Sequence, residues 1–137
     1  MSYFAEHRAV GEPHVLIVED DTNAADALRI LFTETGHRVS LAHSAARAVE
    51  LAAADAPDLI LLDLTLPDGD GLDVLDRLRT RGAHLGTVVA LTGHDHPEVR
   101  QECRDAGCAE VLTKPVSIRE LLGRAAGWIE SGRKSRD

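Results

Sequence analysis

The sequence lacks any run of about 18 apolar residues, the length a helix needs to cross a bilayer. Its first residues, MSYFAEHRAVGEP, have neither the charged start nor the apolar middle of a secretory signal. Both absences lead us to expect a soluble, cytoplasmic protein with no membrane partner. Cysteine is scarce as well. Cys103 and Cys108 have neither metal-pair spacing nor the redox CxxC form, and so few cannot make a disulfide scaffold, so they read as buried thiols. Positive charge is in deficit, with 15 basic against 23 acidic residues and a net charge of −8, which disfavours a nucleic-acid partner held through its phosphates. At 137 residues there is room for one domain with a real core and not for a second folded module. No internal repeat or low-complexity segment interrupts it. Residues 1–12 and 132–137 read as polar tails around a domain at 13–131.

Three short apolar runs stand out: Val15 to Val18, Leu59 to Leu62 and Val88 to Leu91. Each is too short for a helix, and none alternates with polar residues. Both faces should therefore be covered, as in the central strands of a parallel sheet. Arg38 to Ala42 and Ala109 to Leu112 are weaker strand candidates. Helical spacing fills the gaps between them. Helices are expected from about Asn23 to Thr35, stopped by Gly36, and from about Ala45 to Ala54, ahead of Pro57. Leu72, Leu75 and Leu78 share one helical face, as do Val99, Cys103 and Ala106, and as do Ile118, Leu121, Leu122, Ala125 and Ile129. Strict strand–helix alternation implies right-handed crossovers and a doubly wound five-stranded α/β sheet with five helices on its two faces.

In such sheets ligands gather at the carboxyl ends of the strands. The first strand runs into Glu19, Asp20 and Asp21, the third into Asp63, the fourth into Thr92 and the fifth into Thr113, Lys114 and Pro115. Neighbouring strands lie about 5 Å apart, so Glu19, Asp20 and Asp63 would repel one another unless a cation joined them. Mg²⁺ suits an all-oxygen site, and Lys114 would add a second positive charge. A carboxylate so placed can attack phosphorus, and Asp63, leading into the loop LTLPDGDG, is the candidate nucleophile. The cation, Lys114 and the Thr92 hydroxyl could each stabilise one equatorial oxygen of the transferring group.

These segments, HVLIVEDD, LILLDLTLPDGDG, VVALTG and VLTKP, taken in order, resemble the receiver domain of response regulators in two-component signalling, over about Pro13 to Glu130. The resemblance implies a flavodoxin-like sheet of strand order 2-1-3-4-5. It implies that Asp63 is the phosphoacceptor, that Asp20 is a direct metal ligand, that Glu19 acts on the metal through water and that Thr65 offers it a backbone carbonyl. It further implies that Thr92 and Lys114 contact the phosphoryl group, and that the Lys114-Pro115 bond is cis. The implied donor is a sensor histidine kinase or a histidine phosphotransfer protein. A downstream protein partner would read the switched face, and the chain would be a monomer or a weak homodimer. Such a domain catalyses only its own phosphorylation and dephosphorylation. The sequence departs from the family pattern at several places: the residue three before the lysine is Val111, where an aromatic ring is usual, and Thr92 is followed by Gly93 rather than the commoner alanine, and then by His94 and His96.

Other readings of the same residues are weaker. Asp21 suits a helix N-cap better than a third ligand role. Asp68 and Asp70 hint at a calcium loop, but Leu72 stands where a ligand should and Asp73 where glycine is needed, so Pro67, Gly69 and Gly71 read as a tight turn. His94 and His96 read as solvated loop residues rather than as zinc ligands with Cys103. Trp128 reads as core packing, and Arg133, Lys134 and Arg136 as a solvating end. At the level of function, a haloacid-dehalogenase-like phosphohydrolase would need a second acid two residues after Asp63, where Thr65 stands. A receiver-like adaptor that works without phosphorylation is the other alternative, and Val111 keeps it in view.

Overall fold

The computed structural model describes residues 12–134. Of the expected tails at 1–12 and 132–137, residues 1–11 and 135–137 lie outside the described part. A parallel sheet of five strands forms the middle: β1 (His14–Val18), β2 (Arg38–Ala42), β3 (Leu59–Asp63), β4 (Thr87–Thr92) and β5 (Glu110–Thr113), in the order β2-β1-β3-β4-β5. Every residue of β1, β3 and β4 is buried, whereas β2 and β5, at the sheet edges, bury only Ala42 and Leu112. The unbroken apolar runs are thus the central strands, because both of their faces meet helices.

The pleat sorts each strand between two cores. Leu16, Val18, Ile60, Leu62, Val88 and Ala90 point toward α2 (Ala45–Ala54), α3 (Leu72–Thr80) and α4 (Pro97–Asp105). Val15, Ile17, Leu59, Leu61, Val89 and Leu91 point toward α1 (Thr22–Glu34) and α5 (Ile118–Lys134). Among the described residues no helix is long and apolar enough to cross a membrane.

Local chemistry sets the helix ends. Asp21 caps α1, its carboxylate accepting from the Asn23 amide at 3.0 Å, and Gly36 ends that helix at φ +92°. The first helix is shifted one residue toward the amino terminus from its expected span. Asp68 and Asp70, the residues with a calcium-loop look, are occupied locally. Asp68 accepts from the Ala45 and Ala46 amides at 2.8 and 3.1 Å, at the start of α2, and these bonds hold its carboxyl below the usual range. Asp70 accepts from the Leu72 amide at 2.9 Å, and the intervening turn is a two-residue antiparallel ladder, Thr65–Leu66 against Gly69–Asp70.

The fifth helix corrects the expected stripe. Leu121, Ala125, Trp128, Ile129 and Gly132 are buried, while Ile118 and Leu122 are 46% and 43% exposed. The buried set follows an i, i+4, i+7, i+8, i+11 face. Ile118 and Leu122 flank that face, and Ile118 rims a groove against α1 instead. Trp128 is core, as its apolar surroundings suggested. The helix also continues through Lys134, past the expected domain end, because its last turn is strapped to the amino edge of the sheet. There the Thr87 hydroxyl donates to the Trp128 carbonyl at 2.6 Å, His84 Nε2 lies 3.2 Å from the Gly132 carbonyl and Arg133 Nε lies 3.5 Å from Asp58 Oδ2. His14 belongs to the same edge: its amide donates to Asp58 Oδ2 at 2.8 Å and its Nε2 lies 2.7 Å from Ser40 Oγ.

Gly132 sits so close to β3 that a Cβ there would come within 2.0 Å of the Asp58 carbonyl oxygen, whereas a Cβ at Gly127 meets nothing within 4 Å. Gly132→Ala should therefore cost about 1–3 kcal/mol in urea unfolding, and Gly127→Ala should stabilise the helix by up to about 1 kcal/mol. Losses of equal size would contradict this packing. Burial, only partly opposed by Asp55, pulls the His14 imidazole below its usual 6.5. Below that pH the unfolded chain takes up a proton that the folded one refuses, so stability is present above pH 6.5 and is lost as pH falls further. The stability difference between wild type and His14→Gln should shrink between pH 7 and 5.

Candidate functional site

The register of the sheet builds the site. Val18 pairs with both Ala42 and Leu62, Asp63 with Leu91 and Thr92 with Thr113, so the residues that end or follow β1, β3, β4 and β5 share one rim. Three amides carry this alignment past the strand ends: Glu19 donates to Ala42 O at 2.9 Å, Leu64 to Leu91 O at 3.1 Å and Lys114 to Thr92 O at 2.7 Å. Gly71 lets α3 begin hard against Asp63, where a Cβ would sit 2.3 Å from the Asp63 carbonyl oxygen.

On this rim Lys114 Nζ lies 2.7 Å from Glu19 Oε1 and 3.1 Å from Asp63 Oδ2. Glu19 and Asp63 are 1% and 5% exposed, so their shared ammonium is what makes their burial tolerable. Burial and the neighbouring Asp63 carboxylate push the Glu19 carboxyl up to about 7, against the opposing pull of Lys114. Burial also disfavours the Lys114 charge, but its bonds to Glu19 and Asp63 outweigh that and raise its pKa. The remaining oxygens are held by backbone. The Asp21 amide donates to Glu19 Oε2 at 3.3 Å and the Thr65 amide to Asp63 Oδ1 at 3.0 Å.

Asp20, exposed, completes an acidic group in which one oxygen each of Glu19, Asp20 and Asp63 lies within 4.8 Å of the others. Unit charges at about 4 Å repel by about 4 kcal/mol at an effective dielectric of 20. One ammonium does not neutralise three carboxylates. The donor set is all oxygen and the deficit is positive charge, which fits a hard divalent cation held by Asp20 and Asp63. No other such group of acids, histidines or cysteines occurs among the described residues, and His94 and His96 are exposed while Cys103 is buried.

Thr92 is buried at the end of β4. Its hydroxyl is engaged in its own loop, donating to the His94 carbonyl and accepting from the His94 amide, both at 3.0 Å. Thr65 opens the short ladder after Asp63. Val111 is half-buried against the core on the α2, α3 and α4 side. Beside the acids a groove of about 440 Å³ runs between α1 and the start of α5, lined by Ala24, Leu28, Pro115, Val116 and Ile118. The Lys114-Pro115 peptide is cis.

Sequence reasoning missed Asp95. Its carboxylate accepts from Arg100 Nε and Nη2 at 2.6 and 2.8 Å and from the Thr113 hydroxyl at 3.0 Å, joining the loop after Thr92 to α4 and β5. A lone aspartate between two histidines carries no motif that would single it out.

Residues 15–126 match the family model of the response regulator receiver domain. The response regulator MprA of Mycobacterium ulcerans is 38% identical over 110 residues, 80% of this chain and 47% of the relative, so the chain spans about half the length of the curated relatives it resembles. Among solved structures, the signal receiver domain of a Luxo repressor protein from Vibrio parahaemolyticus superposes with a TM-score of 0.83 at 26% identity, covering 91% of this chain and 95% of the other. The BeF3-activated receiver domain of Klebsiella pneumoniae RstA gives 0.75 at 27% identity, covering 85% and 97%.

Lys114→Met keeps much of the side chain and removes its charge. In metal-free buffer it should cost about 2 kcal/mol at pH 8, below the full cost of breaking a buried pair because the ammonium is partly solvated. A carboxyl whose folded pKa is raised binds protons that the unfolded chain has shed, so its burial costs stability as pH rises from about 4.5 to 7. The loss in the variant should therefore shrink toward pH 5. A loss of equal size at both pH values would contradict the shared ammonium.

Proposed function

The chain belongs to the response regulator receiver domain family, and from that premise we propose that it is a cytoplasmic, Mg²⁺-dependent phosphorylation switch whose acceptor is Asp63. One observation carries the reading: the Lys114 ammonium bridges Glu19 and Asp63 within an all-oxygen acidic group. The phosphodonor is a sensor histidine kinase or a histidine phosphotransfer protein. An Asp63 carboxylate oxygen attacks phosphorus, the new O–P bond forms as the P–N bond to the donor histidine breaks, and that nitrogen leaves with its electron pair.

Asp20, Asp63 and the Thr65 carbonyl would hold Mg²⁺, with Glu19 acting through water, and the ion when bound would supply positive charge to the transferring oxygens. Lys114 is already 3.1 Å from Asp63 Oδ2, and neutralises a phosphoryl oxygen there. The Thr65 amide, bonded to Oδ1 at 3.0 Å, orients the acceptor. Thr92 offers a hydroxyl to a further oxygen, which requires it to leave the His94 carbonyl. The domain acts on no other substrate, catalysing only its own phosphorylation and the hydrolysis that ends it.

Intact-mass measurement with acetyl phosphate checks the proposal. The wild type should gain one phosphoryl group only when Mg²⁺ is present, and Asp63→Asn should gain none. Labelling that survives in Asp63→Asn, or that ignores chelation of the metal, contradicts the assignment.

A further inference from the structure

The Thr92 hydroxyl has one proton, and that proton is committed to the His94 carbonyl at 3.0 Å. The same oxygen accepts from the His94 amide, so the turn after β4 closes on Thr92 from both sides. To serve an oxygen of a group on Asp63 the hydroxyl must give up the His94 carbonyl, and swinging the side chain toward Asp63 disrupts the turn unless the residues after it move with it. Asp95 is the next residue, and it is the best-anchored side chain of the loop. Both of its carboxylate oxygens are engaged by the Arg100 guanidinium of α4, and Oδ2 also accepts from Thr113 at the end of β5. Those bonds hold its carboxyl below the usual range, led by Arg100 and then Thr113.

We infer that Asp95 is a positioning residue: clamped between Arg100 and Thr113, it keeps the loop after β4 in the arrangement that withholds the Thr92 hydroxyl from Asp63. The inference rests on the reading of Asp63 as phosphoacceptor. The clamp joins three elements through a fork of fixed geometry, so it holds direction as well as distance. It also gives β5 a polar link to this loop, one residue before Lys114, in a chain whose β5 carries Val111 rather than a ring. Releasing Thr92 thus means opening or sliding the clamp, and α4 shifts with Arg100. A ligand at Asp63 that needs the Thr92 proton binds the released arrangement better, so removing the clamp raises apparent affinity by raising the released fraction.

The test is beryllofluoride binding in saturating Mg²⁺ to the whole chain, with thermal unfolding as a check on folding. Asp95→Ala and Thr113→Val should each bind beryllofluoride about threefold more tightly, the scale set by a partly exposed ion pair, and label faster with acetyl phosphate. Thr113→Ser, which keeps the hydroxyl, should return to wild type. Mg²⁺ affinity without beryllofluoride should not change in any of them, which separates the effect from general loosening of the site. Affinities equal to wild type in both Asp95→Ala and Thr113→Val, or weaker, overturn the inference. If Asp95→Ala does not fold, Thr113→Val and Thr113→Ser decide alone. A wild-type chain that neither binds beryllofluoride nor takes up phosphoryl overturns the phosphoacceptor reading itself, and the inference with it.

Discussion

Two carboxylates withdrawn from water, Glu19 and Asp63, share the single ammonium of Lys114. Removing an acid from water costs several kcal/mol unless opposite charge and hydrogen bonds meet it. Here the opposite charge comes from a residue 95 positions along the chain from Glu19. The contact therefore exists only if β1, β3 and β5 are held in register across the whole sheet. The fully buried central strands supply that rigidity, and the backbone bonds from Glu19, Leu64 and Lys114 to neighbouring carbonyls extend it past the last residue of each strand.

The apolar and polar parts of the fold are thus one design. At the carboxyl edge the sheet ends in acids, a hydroxyl and a lysine. At the amino edge it ends in a second polar seam, where His14, Asp58, Thr87 and the last turns of α5 are tied together. The first edge is left short of positive charge, which fits it for a divalent cation. The second is bound to protein groups through Asp58 Oδ2 and the Thr87 hydroxyl, and it fixes the helix that, with α1, covers one face of the sheet. The two ends of the sheet therefore differ in charge balance: three acids share one ammonium at the first, while at the second Asp58 meets Arg133 and the His14 amide.

The central strands were legible because burial on both faces leaves an unbroken apolar run, and here each run is too short for a helix. The acids and Lys114 were legible because strand ends in such a sheet converge. Asp21 as a cap and the turn at Pro67 to Gly71 followed from local rules alone. What was not legible depends on relations between elements. The phase of α5 is set by its packing on β3 and β4, so Ile118 and Leu122 look like core by spacing and yet lie exposed. Its extra turn depends on contacts with Asp58 and Thr87, far away in sequence. Asp95 gains its meaning only from Arg100 and Thr113.

If these acids, gathered on one rim, hold a hydrated divalent ion beside Asp63, a crystal can show it. The most direct measurement is a high-resolution crystal structure grown with Mg²⁺. The density should show an ion with octahedral oxygen coordination at about 2.0–2.1 Å, bonded to carboxylate oxygens of Asp20 and Asp63 and to the Thr65 carbonyl, with Lys114 still beside Asp63. Acids turned apart around bulk water at saturating Mg²⁺ would contradict it.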